Sequence, residues 1–140
     1  MGFKSFQGAR KTQSTADVPL KVKDYMTRDL ITFKPDDSIY EVIDKLIQHR
    51  ISGAPIVNDK NELIGIISES DCVKQISESR YYNMPMDDAT VGKFMTPNVD
   101  TIDGNMNVFD AASKFLSSKR RRFPILEDGK LAGQISLKDI

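Results

Sequence analysis

The chain has 140 residues, a length that fits one domain and can bury a sizeable core. Its 20 basic and 20 acidic side chains cancel, so no overall positive field draws it to a nucleic acid. Cys72 is the single cysteine, which excludes an internal disulfide and a cysteine metal cluster, and a buried apolar role is expected for it. Neither a membrane-spanning apolar run nor a signal-peptide core is found, so the prediction is a soluble, cytoplasmic protein.

The first half of the chain predicts a short series of elements. Residues 1–17 are polar and without periodicity, which favours a flexible tail. A segment ending in Met26-Thr27 then leads to an extended stretch, residues 30–33. A helix follows, with Ser38 and Glu41 as a capping-box pair and a helically spaced apolar stripe at Ile39, Val42, Ile43, Leu46 and Ile47. Two strands, APIVN and ELIGIIS, are joined by a polar turn, and a second helix is predicted from Ser68 with Val73 and Ile76 on one face.

The second half of the chain repeats this order. Met95-Thr96 corresponds to Met26-Thr27, and Pro124-Ile125 to Pro55-Ile56, at an offset of 69 residues. One residue is lost in a turn, after which Gly65, Ser68 and Asp71 correspond to Gly133, Ser136 and Asp139 at an offset of 68. Asn107 is the expected cap of a helix whose apolar positions are Val108, Ala111, Ala112, Phe115 and Leu116, and the strands are FPILE and KLAGQIS.

A single gap in a turn is where a duplication tolerates one, so we infer two repeats of order β-α-β-β-α. The first is predicted to span residues 18–78 and the second residues 91–140, with a linker of residues 79–90 between them. The second copy reaches Ile140 where its own second helix is due, so that helix is expected to be missing.

The first half carries an ordered set of motifs: Asp24-Tyr25-Met26-Thr27, an extended segment with Thr32, an amphipathic helix, a Pro-Ile-Val strand and G-I-I-S-x-x-D, and the second half has a counterpart of each in the same order. This set resembles the cystathionine-β-synthase (CBS) domain, which occurs in tandem pairs. The resemblance implies an α+β fold whose two repeats pack about a pseudo-twofold axis with two clefts between them, and it implies a homodimer. It also implies that AMP, ADP, ATP or S-adenosylmethionine binds as a regulatory ligand, on behalf of a partner protein that the sequence does not identify.

An adenosyl-binding cleft requires an apolar slot for the base, a carboxylate for the ribose hydroxyls and donors for phosphate. Asp71 and Asp139 are the candidate carboxylates, and Ser68 and Ser136 stand at helix starts, where hydroxyl and free N–H groups favour an anion. The resemblance implies that the slot is lined by Thr32, Thr101 and the backbone at Ala54, Pro55, Phe123 and Pro124. The alternative is that each S-x-x-D is a capping box, which a helix start uses with or without a ligand.

Four consecutive cations, Lys119 to Arg122, lead into the second Pro-containing strand. Alternate residues of an extended segment face opposite ways, so one or two of the arginines reach a bound phosphate, with Arg121 and Arg122 as the candidates. The alternative is a solvated basic loop near a helix C-terminus. Nucleic acid is not favoured, since one short run on a neutral chain is a weak footprint.

The predicted function is regulatory binding of an adenine nucleotide or adenosyl compound, and no enzymatic activity is predicted. The sequence has no phosphate-binding loop, no metal-ligand spacing and no nucleophile with an evident base. The alternative function is a ligand-free dimerisation scaffold. The second slot is expected to be less apolar, because Ala132 and Gln134 replace Ile64 and Ile66.

Overall fold

The computed structural model describes residues 20–82 and 89–139. The first repeat contains α1 (Ile39–His49), β1 (Gly53–Val57), β2 (Leu63–Ser68) and α2 (Glu69–Tyr82). The second contains β3 (Ile102–Asp103), α3 (Val108–Ser118), β4 (Arg122–Glu127) and β5 (Lys130–Ser136), followed by a 3-10 turn at Leu137–Asp139. The predicted tail, residues 1–17, and residues 83–88 of the predicted linker lie outside the described residues. α2 extends through Tyr82, so its last turn occupies the beginning of the stretch that was predicted to be linker.

Each repeat contributes one antiparallel strand pair, as predicted. β1 pairs with β2 so that Gly53 faces Ser68, and β4 pairs with β5 so that Arg122 faces Ser136. In the second repeat β3 adds to β4 in parallel, whereas in the first the matching contact is a single bridge between Phe33 and Ile56. The predicted extended stretch at residues 30–33 is therefore not a full strand.

A proline explains this difference between the repeats. In the second repeat the backbone N–H of Gly104 donates to the carbonyl of Leu126 at 2.9 Å, which extends the contact between β3 and β4. Pro35 occupies the corresponding position of the first repeat and has no N–H to donate. The parallel pairing therefore stops at Phe33.

Helices α1 and α3 begin where the sequence predicts, but each buries a narrower stripe of apolar residues than predicted. The Ser38 hydroxyl accepts from Tyr40 N at 3.2 Å rather than from Glu41 N, and Asn107 Oδ1 accepts from Asp110 N at 2.8 Å. Ile47 is 60% exposed and Leu116, its counterpart, is 81% exposed, so the prediction that they join the stripe is wrong. Each lies eight residues after the first apolar position, which places it about 80° round the helix, at the edge of the stripe.

The prediction for α2 is also corrected at one position. Val73 is 51% exposed, while Cys72 is fully buried in the core of the first sheet, with Ile76 packed against the same core. Burial raises the pKa of the Cys72 thiol to about 11, and the adjacent carboxylates of Asp71 and Glu69 add to this effect. Because the thiolate is the reactive form, this cysteine is inert near neutral pH. The predicted role of Cys72 as a small buried apolar residue is confirmed.

The leading segment of each repeat packs on the other repeat. Val22 N donates to the Met106 carbonyl at 3.0 Å, and Val91 N donates to the Asp37 carbonyl at 2.8 Å. Val22 is accordingly buried in the core of the second sheet, and Val91 in that of the first. These matched contacts are related by the offset of the repeat, so they define a pseudo-twofold axis, and each structural half contains residues of both repeats.

Candidate functional site

Two stretches of chain run from one sheet to the other. Thr27 exchanges two backbone hydrogen bonds with Gln134 of β5, at 2.8 and 2.9 Å, and its chain then reaches β1 at Phe33. Thr96 makes the matching pair with Ile66 of β2, at 2.8 and 3.0 Å, and its chain then reaches β4 at Ile102. Residues 28–32 and 97–101 are hereafter called the crossing segments.

Each crossing segment borders the partly exposed face of a strand. Along β2 this face carries Ile64, Ile66 and Ser68, between the buried Gly65 and Ile67. The face and residues 97–101 define the first cleft. On β5 the equivalent residues are Ala132, Gln134 and Ser136. These residues and residues 28–32 define the second cleft.

The first cleft contains a cavity of about 340 Å³. Its lining is mainly apolar and consists of Leu63, Ile64, Pro97, Asn98, Val99, Thr101 and Leu126. Thr101, a residue of the second repeat, therefore lies against the strand of the first repeat that carries Ser68. An alignment of the two repeats does not predict this placement of Thr101. The placement arises because the leading segment of each repeat packs on the other repeat, which is hereafter called the exchange of leading segments.

At the helix end of the first cleft, Ser68 caps α2 and leaves the Asp71 carboxylate uncommitted. Asp71 N donates to Ser68 Oγ at 3.1 Å, and Ser70 Oγ lies 3.2 Å from the same oxygen. The Asp71 carboxylate itself accepts no hydrogen bond from any residue in the described ranges. It is half-buried and has the acceptor capacity that a pair of ribose hydroxyls requires.

The second cleft brings together four of the predicted site residues. Ser136 donates to Asp139 Oδ2 through both its N–H, at 2.8 Å, and its hydroxyl, at 3.0 Å. Arg122 faces Ser136 across the strand pair, and the Arg121 carbonyl accepts from Leu137 N at 2.9 Å. The Ser136 and Asp139 contacts form a cap of the kind that the alternative interpretation requires, yet Asp139 Oδ1 accepts no bond from a described residue.

The side chains of the predicted slot residues Ala54, Pro55, Phe123 and Pro124 are buried. The Phe123 ring packs edge-on against Phe115, with centroids 4.9 Å apart, and the Lys114 ammonium lies 5.2 Å from its centre. The side chains of these four residues therefore belong to the core.

Thr32 and Thr101 occupy different surroundings. Thr32 is exposed and lines a cavity of about 620 Å³ beside α1, with Asp37, Glu41, Lys45 and others. In the second repeat Lys114 reaches across the corresponding region, donating to the Thr101 carbonyl and pairing with Asp100, both at 2.9 Å. Ile31 replaces Asp100 in the first repeat, so Lys45 has no such partner.

No helix in residues 20–82 and 89–139 is long and apolar enough to cross a membrane. In the same residues, no cluster of three or more histidine, cysteine or carboxylate side chains is placed to hold a metal ion.

The fold and clefts together define a tandem-repeat α+β module whose halves are related by a pseudo-twofold axis. The CBS domain model matches residues 22–78 and 91–140, and the chain belongs to the CBS domain family. The predicted family and fold class are therefore confirmed.

Known proteins extend this similarity. The chain is 34% identical over 123 residues to an uncharacterized protein of Methanopyrus kandleri, a match that covers 86% of this chain and 61% of that protein. The structure of CBSX2 from Arabidopsis thaliana in complex with AMP matches with a TM-score of 0.73 at 29% identity, covering 86% of this chain and 92% of that one. The CBS domain pair of protein MJ0100, in complex with 5′-methylthioadenosine and S-adenosyl-L-methionine, matches with a TM-score of 0.67 at 29% identity, with the same coverage.

Proposed function

We propose that this chain is a regulatory module that binds an adenosyl compound in the clefts between its repeats. The observation that carries the proposal is the half-buried Asp71 carboxylate, which holds no described partner, at the start of the helix that follows β2, the strand that lines an apolar cavity. The ligands of the two similar structures, AMP in one and 5′-methylthioadenosine with S-adenosyl-L-methionine in the other, support the same class of compound.

In this proposal the first cleft holds adenosine through three kinds of contact. The base lies against Ile64 and Ile66 beneath the crossing segment, where Pro97 and Val99 contribute apolar surface. The two ribose hydroxyls donate to Asp71, and hydrogen bonds of this charged kind are worth about 1.5–3 kcal/mol each. The Ser68 hydroxyl remains for the 5′ side of the ligand, because the N–H groups of Glu69 and Asp71 already donate to the Ser52 carbonyl and to Ser68 Oγ.

Regulation follows from the position of the crossing segments. A ligand in the first cleft contacts a strand of one sheet and a segment that is tied to the other, so it binds best when the two sheets hold one relative position. A ligand shifts such an equilibrium only through its differential affinity for the two arrangements. A partner protein that recognises one arrangement then responds to the ligand; its identity is not part of the proposal.

The test is a thermal-shift series with AMP, ADP, ATP and S-adenosylmethionine on the wild type, Asp71→Asn and Asp139→Asn. A ligand at about 100 times its dissociation constant adds about 2.7 kcal/mol to the native state, which is an easily measured shift. We expect one of the two substitutions to abolish the shift for a given ligand, because its cleft loses the charged carboxylate that accepts from both ribose hydroxyls. Asp36→Asn, on the exposed turn before α1, is the matched control and retains the full shift.

The alternative, a ligand-free dimerisation scaffold, is favoured by the Ser136–Asp139 contacts, which satisfy each other as a cap does. It predicts that no compound in the series moves the melting temperature of the wild type, while both cleft variants simply melt earlier. That result would contradict ligand binding.

We further propose that the chain forms a homodimer through its helices. Ile47, Phe109 and Leu116 are large, exposed apolar residues, and Ile47 and Leu116 are related by the pseudo-twofold axis. A surface with this symmetry is self-complementary to a second copy. Light scattering is expected to give the mass of two chains for the wild type and of one chain for the double variant Ile47→Asp, Leu116→Asp. A monomeric wild type, or a dimeric double variant, would overturn this assignment.

A further inference from the structure

The two clefts carry opposite charge at corresponding positions. The mouth of the first holds Ser52 and Gly53 from the β1 side and Glu69 and Asp71 from the start of α2, and none of these four residues is a cation. The corresponding residues of the second are Arg121, Arg122, Leu137 and Asp139, and Lys138 replaces Ser70. One mouth therefore has two carboxylates, and the other has three cations around one carboxylate.

Matched backbone contacts show that these positions are equivalent in space as well as in sequence. Glu69 N donates to the Ser52 carbonyl at 2.7 Å, and Leu137 N donates to the Arg121 carbonyl at 2.9 Å. The backbone is therefore equivalent at the two cleft mouths, and the difference in charge comes from the side chains alone.

The arginines of the second cleft are available for a ligand. Arg121 and Arg122 are exposed, and neither forms an ion pair with a side chain in the described ranges. Arg120, by contrast, has its Nε 3.7 Å from Asp100. A guanidinium without an ion-pair partner in that part of the chain, beside a serine and a turn start, suits the paired oxygens of a phosphate.

The first cleft has no room for a cationic side chain at position 53, which corresponds to Arg122. A Cβ atom on Gly53 would lie 2.9 Å from the carbonyl oxygen of Ile67, so a side chain does not fit without a backbone shift. The local field is negative as well, because Asp71 and Glu69 help to raise the pKa of the Cys72 thiol. A dianionic phosphate placed here meets the two carboxylates of Glu69 and Asp71.

We propose that the second cleft takes adenosine with a 5′-phosphate, and that the first takes an adenosyl compound whose 5′ substituent is uncharged or cationic, such as a thioether or a sulfonium. This inference rests on the proposed function and divides its ligands between the two clefts. The chain would then respond to two ligands of different chemistry, and both would act on the relative position of the same two sheets.

The experiment is calorimetric titration of the intact chain with AMP and with 5′-methylthioadenosine, which share adenosine and differ only at the 5′ position. Replacing both Arg121 and Arg122 by serine, the residue at position 52, is expected to weaken AMP binding by about tenfold to a hundredfold. 5′-Methylthioadenosine binding is expected to be unchanged. Arg120→Ser removes the same charge one residue away and leaves both affinities at their wild-type values.

The aspartate variants and the salt dependence identify the cleft for each compound. Asp139→Asn is expected to weaken AMP binding alone, and Asp71→Asn to weaken 5′-methylthioadenosine binding alone. Raising the ionic strength shortens the range of electrostatic attraction from about 30 Å at 0.01 M to about 8 Å at 0.15 M, so AMP binding falls with salt and 5′-methylthioadenosine binding does not.

The outcomes separate this inference from the proposed function. If neither compound binds the wild type or moves its melting temperature, the proposed function itself fails. If AMP binds but the double arginine variant retains its affinity, or Asp71→Asn rather than Asp139→Asn removes it, the division between clefts is wrong and adenosyl binding stands.

Discussion

Replacing Phe123 with alanine is expected to lower the free energy of unfolding by about 3–5 kcal/mol, the range for a phenylalanine removed from a core. Phe123 is 0% exposed and packs edge-on against Phe115, in a cluster that also contains Val22 from the exchanged leading segment. The cavity left by the ring therefore loosens contacts within the second sheet and between the two repeats. Urea unfolding followed by circular dichroism measures the change as a lower midpoint with an unchanged slope.

Phe109→Ala is the matched control for this prediction. Phe109 lies on α3 and is 75% exposed, so the same substitution removes little buried surface and changes stability by at most about 0.5 kcal/mol. Both variants are compared at a concentration where light scattering shows monomers, because Phe109 lies on the proposed dimer face. Equal losses for the two variants would contradict the assignment of Phe123 to the core.

Gly133→Ala is expected to cost about 1–3 kcal/mol, the range for an overpacked interior. An added Cβ would lie 2.6 Å from the Thr27 carbonyl oxygen and 2.8 Å from Met26 Sδ, where the crossing segment meets β5. At the matching residue, Gly65, the closest atoms belong to the flexible Met95 side chain, and the Thr96 carbonyl oxygen is 3.1 Å away. The two glycines therefore differ in whether the obstruction is backbone or side chain.

A pair of double-mutant cycles tests this distinction. Met95→Ala is expected to recover most of the stability lost in Gly65→Ala, because it removes the obstructing atoms. Met26→Ala is expected to recover little of the loss in Gly133→Ala, since the Thr27 carbonyl remains in place. Equal coupling energies in the two cycles, measured by urea unfolding, would show that the backbone contact at Gly133 does not limit packing.

The predictions that the structure confirms were based on short stretches of sequence. The capping residues Ser68 and Asn107 and the alternation along β2 and β5 depend on a few neighbouring residues, and the structure places each as predicted. The repeat itself then aligned Arg122 with Gly53, and the strand register puts both beside the cleft serines.

The features that sequence did not predict depend on distant residues. The bond from Val22 to Met106 joins opposite repeats, and the apolar pattern near Val22 is the same whichever core receives it. The surroundings of Thr32 and Thr101 differ because Lys114 pairs with Asp100. In an alignment of the two repeats, the change from Ile31 to Asp100 is a single replacement that does not reveal this ion pair. Ile47 and Leu116 are exposed because the core beneath each helix covers only part of its apolar stripe. How much is covered depends on the tertiary packing and not on the local sequence.

The exchange of leading segments bears on how the two clefts came to differ. A chain with one such repeat would obtain its missing segment from a second chain, so the tandem pair has the architecture of a symmetric dimer whose subunits are now covalently joined. Identical subunits must present identical pockets, because every substitution appears twice. One continuous chain is free of that restriction: backbone contacts such as Val22 with Met106 and Val91 with Asp37 obey the pseudo-twofold symmetry, while the side chains at the cleft mouths, Ser52 and Arg121 among them, differ in charge.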